Sequence, residues 1–179
     1  MPKVNARCLL PELRVSLLSF LFLFFVASLF GAVEKPFNFN ETPGKLPKEV
    51  VPTEYAIRIV PNIDNFTFSG SETVKLNARS PVHQLLLNAL DLKIEAVSVD
   101  RKELPVSAIT IDKENELLTL TLPSEVAAGD HTLALRFTGK INQRGQGLFY
   151  MHYQEQGSGE RKVILGTQFK ATDARRYIP

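Results

Sequence analysis

The chain has 179 residues, enough for one domain with a core of its own, and its 21 basic against 19 acidic residues give a formal charge of +2. Lys3, Arg7 and Arg14 against Glu12 hold that excess near the N-terminus, and no later Lys/Arg run forms a basic stripe, so nucleic acid is not an expected partner. The single cysteine, Cys8, lies in the same stretch, which leaves the later residues no internal disulfide, thiolate zinc site or cysteine nucleophile.

Residues 15–33 carry no charge and follow the basic end, which is the pattern of an export signal and predicts an apolar N-terminal helix. Val26-Ala27-Ser28 offers small residues for cleavage, with weaker options near Gly31 and Ala32. The run also approaches the ~20 residues that span a bilayer, so a cleaved signal and an uncleaved anchor both stand open. Either way the rest of the chain is expected outside the cytoplasm: secreted, periplasmic or membrane-anchored. Membrane contact is expected only through residues 15–33, if they stay uncleaved.

Residues 34–52, with Pro36, Pro43, Gly44, Pro47 and Pro52 among polar residues, read as a linker. From Thr53 the hydrophobic period is two, with Tyr55, Ile57 and Ile59 on one face and Glu54 and Arg58 on the other. The alternation continues over 66–78, where Phe66, Phe68, Val74, Leu76 and Ala78 oppose Thr67, Ser69, Thr73, Lys75 and Asn77. Gly70 and Glu72 break the apolar face and predict a bulge or bend there. Further strands are expected at 84–89, 94–99, 117–122, 132–137, 148–153 and 163–169. They are separated by turn signals such as Ser80-Pro81, Glu114-Asn115 and Gly157-Ser158-Gly159. Strands at short intervals without a helical stretch predict an all-β, antiparallel sandwich over residues 53–179.

Few residues suggest chemistry. His83, His131 and His152 are far apart and never at His-x-x-x-His spacing, so they do not read as zinc ligands. Ser71 and Ser158 lie outside a Gly-x-Ser-x-Gly elbow. Asp112, Glu114 and Glu116 alternate with Lys113 and Asn115 and read as a solvated edge. Gly145-Gln146-Gly147 precedes a strand rather than a helix, which argues against a phosphate cradle. Asn40-Glu41-Thr42 and Asn65-Phe66-Thr67 are sequons, so Asn40 and Asn65 are glycosylation candidates in a eukaryotic secretory pathway.

Several stretches, in order, resemble the N-terminal β domain of the M1 family of zinc aminopeptidases, of the aminopeptidase N and puromycin-sensitive type. They are Leu46-Pro47-Lys48-Glu49-Val50-Val51-Pro52-Thr53-Glu54-Tyr55, Phe66-Thr67-Phe68-Ser69-Gly70-Ser71, Leu85-Leu86-Leu87-Asn88-Ala89 and Gly147-Leu148-Phe149-Tyr150. The last, Thr167-Gln168-Phe169 through Asp173-Ala174-Arg175-Arg176, is similar to the family's Thr-Gln-Phe-Glu-x-Thr-Asp-Ala-Arg. The resemblance implies a β domain capping a thermolysin-like catalytic domain, whose His-Glu-x-x-His and later Glu hold zinc. None of those motifs occurs here, so the resemblance implies no cofactor in this chain itself, with zinc and peptide substrates belonging to the full-length enzyme. It also implies that the family continues past Pro179 into Cys-Phe/Trp-Asp-Glu-Pro, making the sandwich incomplete.

The resemblance implies one substrate-binding position in the β domain, the Glu or Gln that takes the peptide α-ammonium group. That position is Lys170 here, a cation with donors and no lone pair. Two like charges ~4 Å apart repel by up to about 4 kcal/mol at an effective dielectric of ~20. The expected function is therefore a domain fragment of an exported M1-type aminopeptidase, inactive alone. The alternatives are a stand-alone sandwich that binds peptides or proteins, and an enzyme completed in trans by a catalytic chain.

Overall fold

The computed structural model describes residue 38 and residues 46–179, which fall in the unit Gly44–Pro179 except for residue 38. The predicted apolar helix, its cleavage site, most of the linker and Asn40 lie outside the described residues. Among the described residues no helix is long and apolar enough to cross a membrane.

Among the described residues, ten strands account for nearly all the regular structure: β1 (Val50–Asn62), β2 (Thr67–Ala78), β3 (Val82–Asn88), β4 (Leu92–Val99), β5 (Lys102–Glu103), β6 (Ile109–Asp112), β7 (Leu117–Val126), β8 (Gly129–Lys140), β9 (Gly147–Gln154) and β10 (Arg161–Gln168). Two short 3-10 turns, Val106–Ala108 and Asp173–Arg176, complete it. The strands form a five-stranded sheet in the order β1-β2-β8-β4-β5, a three-stranded sheet β3-β7-β6 and a two-stranded hairpin β9-β10, with every strand pair antiparallel.

Alternation explains the layers. Along β2, residues Phe68, Val74, Leu76 and Ala78 are buried, and the opposing face carries Ser69, Thr73 and Lys75 in solvent. Along β7, Leu118, Leu120 and Leu122 are buried in the same way. With Leu133, Leu135 and Phe137 of β8, Val97 and Val99 of β4 and Leu85 of β3, these side chains make one apolar core that joins the two sheets into a sandwich.

The structure corrects the expected bulge at Gly70 and Glu72. Both keep the buried face of β2, whose pairing with β8 runs unbroken from Thr67↔Lys140 to Ala78↔Gly129. Gly70 is required because the Phe137 ring lies across it: a Cβ there would sit 2.3 Å from Phe137 Cε2. The same exchange recurs two residues on, where the Phe68 ring covers Gly139, with Phe68 Cζ 2.4 Å from a Cβ placed on it. The irregularities fall instead between Pro52 and Glu54, between Val82 and Gln84, and between Ile94 and Ala96. β1 also begins at Val50, ahead of Thr53, and β5 and β6 fall in stretches where the sequence predicts no strand.

Candidate substrate rim and docking face

The β9-β10 hairpin has two unlike faces. On one, Leu148, Tyr150 and Leu165 turn to the sandwich, and the Tyr150 ring stacks on Phe66 with centroids 3.7 Å apart. Asn142, just after β8, pins this side. Its Nδ2 donates to the Gln146 and Leu148 carbonyls at 2.5 and 3.0 Å, and its own backbone carbonyl accepts the Tyr150 N–H at 2.8 Å. The other face pairs Phe149 with Gly166, Met151 with Ile164 and Tyr153 with Lys162. Met151 (51 %), Ile164 (49 %) and Tyr153 (45 %) stand exposed on it, an open apolar face on the hairpin.

At the end of this hairpin lies the rim. Gln168 closes β10 opposite Gly147, Phe169 follows at 37 % exposure, and Lys170 turns the chain with φ +39°. Lys170 is exposed and has no hydrogen-bond or ion-pair partner among the described residues. The turn is held from behind. The Asp173 N–H donates to the Phe169 carbonyl at 2.6 Å, and the Phe169 ring stacks on Tyr177 at 5.6 Å. Tyr177 in turn reaches the core ring of Phe68 at 5.7 Å.

The Asp173–Arg176 turn acts as a clamp. Arg175 Nη1 donates to Glu116 Oε2 at 2.5 Å, and the Arg175 carbonyl accepts the Leu90 N–H at 2.8 Å. Arg176 donates through Nη1 to Asp91 and through Nε to the buried Asp173 at 3.2 Å. Gly147, at φ +61°, lets the turn sit against β9, because a Cβ there would lie 3.0 Å from Arg176 Cβ. The arginines of the most recognisable motif thus tie the rim to the β3-β4 and β6-β7 connections. Glu116 is therefore not part of a solvated edge: Arg175 draws it into an ion pair whose side chains are 14 % and 29 % exposed. Asp112 instead shapes its own turn, accepting the Glu114 and Asn115 N–H groups at 3.0 Å each.

The histidines occupy three separate settings. His83 faces Glu125 at 3.0 Å, and His152 meets the Tyr150 ring edge-on at 5.6 Å. His131 places Nδ1 2.7 Å from Asp100 and Nε2 2.9 Å from the Ala127 carbonyl, so both nitrogens have acceptors. The Asp100 bond raises the His131 pKa above its ordinary value, outweighing burial. Among the described residues no three His, Cys, Asp or Glu side chains gather as a metal site. They do not fit a zinc centre, and no step here runs through one. Asn65 is exposed in the β1-β2 turn, where its Oδ1 accepts the Thr67 hydroxyl at 2.5 Å.

Residues 51–179 match the peptidase M1 N-terminal domain family. Aminopeptidase N of Acetobacter pasteurianus is 37% identical over 146 residues, which cover 82% of this chain and 40% of that protein. Aminopeptidase M1-D of Oryza sativa subsp. japonica is 33% identical over 135 residues, covering 75% of this chain and 15% of that protein. Aminopeptidase 2 of Candida albicans is 32% identical over 135 residues, 75% of this chain and 14% of that protein. The chain spans less than half the length of each of these relatives.

Proposed function

Because the chain belongs to the peptidase M1 N-terminal domain family, we propose that it serves as the β domain of an exported zinc aminopeptidase and forms one wall of the cleft that receives peptide N-termini. The zinc and the general base are assigned to the part of such an enzyme that the chain does not span. The β domain then supplies position rather than chemistry. Its open apolar hairpin face docks on the catalytic part, and the Gln168–Lys170 rim looks into the cleft. Export rests on residues 15–33, and Asn65, on an exposed turn, is the glycosylation site assigned within the domain.

The observation that carries this reading is the clamp. Two arginines, three carboxylates and the Tyr177 ring hold a corner that bears one exposed cation, unpaired among the described residues. A rim fixed so firmly is suited to orienting a ligand, while Lys170 repels the α-ammonium group a peptide would present there.

The test is a chimera in which residues 46–179 replace the matching stretch of Oryza aminopeptidase M1-D, assayed on aminoacyl chromogenic substrates. Lys170→Glu is expected to lower KM roughly threefold to tenfold with little change in kcat, the size of a solvent-screened charge reversal. An active chimera whose KM ignores Lys170→Glu would remove this residue from the cleft.

A further inference from the structure

Among the described residues, β1 is the open edge of the five-stranded sheet and is unusually long for one, running Val50–Asn62. Its prolines, Pro52 and Pro61, stand near its ends, and beyond the irregularity at Thr53 they leave Glu54–Val60 uninterrupted. Tyr55 (51 %) and Ile57 (42 %) lie on the face that β2 buries through Val74 and Glu72, yet both are exposed. An apolar, unpaired edge of this kind is a template for another strand.

Backbone parity shows which groups the edge offers. Ile141 donates to the Phe66 carbonyl and Arg79 to the Glu49 carbonyl, each at 2.7 Å. The β2–β8 register is unbroken and the β1–β2 register is continuous from Glu54 to Asn62, so even-numbered residues of β2 bond β8 and its odd-numbered residues bond β1. Ala56, Arg58 and Val60, opposite Thr73, Ser71 and Ser69, turn their amides inward. Tyr55, Ile57 and Ile59 turn theirs to the open side.

The side chains then select a partner. We propose that β1 pairs antiparallel with β1 of a second copy of this chain, about a two-fold axis at Ala56, joining two five-stranded sheets into one continuous sheet. In that register Tyr55 faces the second copy's Ile57 on one face, and Glu54 faces its Arg58 on the other, twice over. The bonded pairs are those whose amides point outward, as an antiparallel ladder requires. The Arg58 side chain has no hydrogen-bond or ion-pair partner among the described residues. Glu54 uses Oε2 for Lys75 at 2.8 Å, which leaves Oε1 for a second cation. Charges of one sign would blunt this edge against its own copy, whereas one of each sign, four residues apart about the axis, is self-complementary. Registers shifted by two residues lose both ion pairs.

The full 179-residue chain with Cys8→Ser has no thiol, so a cysteine placed at Ala56 reports on the pairing alone. Non-bonded antiparallel partners stand about 4.5 Å apart between Cα atoms, within disulfide reach. Ala56→Cys is expected to form a covalent dimer under mild oxidation at least tenfold faster than Asn62→Cys, in a chain whose circular dichroism remains that of a β fold. Adding Arg58→Glu should suppress the cross-link at least tenfold, and adding Glu54→Arg as well should restore it, since the swapped charges again complement each other. Equal cross-linking of Ala56→Cys and Asn62→Cys overturns the proposal, as does an Ala56→Cys dimer that Arg58→Glu leaves undiminished.

Discussion

Glu72 lies on the inner face of β2 with 2 % of its surface exposed, and neither carboxylate oxygen has a hydrogen-bond partner among the described residues. Burial pushes its pKa from 4.5 to about 7. Nearby Tyr55 has its phenol pushed up too, first by burial and then by the Glu72 charge. The folded state therefore holds a proton that the unfolded chain releases above its ordinary carboxyl pKa. The Glu72 contribution to stability should be greatest below about pH 4.5 and be lost as the pH rises through about 7. Glu72→Leu should remove that slope and raise stability at pH 8 by on the order of 2–3 kcal/mol, read by urea unfolding across pH. A slope that survives the substitution would place its origin elsewhere. In the sequence this residue reads as an interruption of the strand. It keeps the strand's period because the β2–β8 ladder runs unbroken through it and burial favours its neutral form, and because the neighbouring Gly70 is covered by the Phe137 ring. Neither reason is visible to a pattern of apolar and polar letters.

Among the elements, the legible strands are those with strict alternation and a core to serve. β2 follows its predicted run from Thr67 to Ala78, while β7 and β8 contain theirs and extend them, because hydrogen-bond ladders carry a strand past its last buried residue. β5 and β6 are short and escape the pattern, since two to four residues display no period. The clamp is illegible for another reason. Arg175 meets Glu116 across 59 residues and Arg176 meets Asp91 across 85, distances no local reading spans. The motif itself is clear in the sequence; its arginines hold the rim rather than face a ligand. Arg175→Met and Glu116→Gln should each destabilise the chain, and together by less than their sum, with a coupling of about 1–3 kcal/mol for a partly buried pair. Additive losses in the double-mutant cycle would show that the contact contributes nothing as a pair.

Across the whole molecule, surfaces are divided between different tasks. The inner faces of the two larger sheets meet in one core, which among the described residues leaves the β1 edge and the outward face of the β9-β10 hairpin as open apolar strips. The proposed role uses the hairpin face and the rim, and the proposed self-pairing uses β1, so a failure of one leaves the other standing. All-β architecture and family are readable from the sequence because turn signals and motifs occur in order. Which faces stay uncovered is not, since that depends on how far the three-stranded sheet extends over the five-stranded one. Met151 and Ile164 decide the proposed docking, for they sit paired and half exposed on the hairpin where the catalytic part is placed. The most direct measurement is aminopeptidase activity of the Oryza chimera carrying Met151→Asp with Ile164→Asp, alongside the melting temperature of the chain itself with the same changes. Docking through this face predicts at least a tenfold loss of kcat/KM with the melting temperature of the chain held within a few degrees; full activity with two aspartates on that face would contradict it.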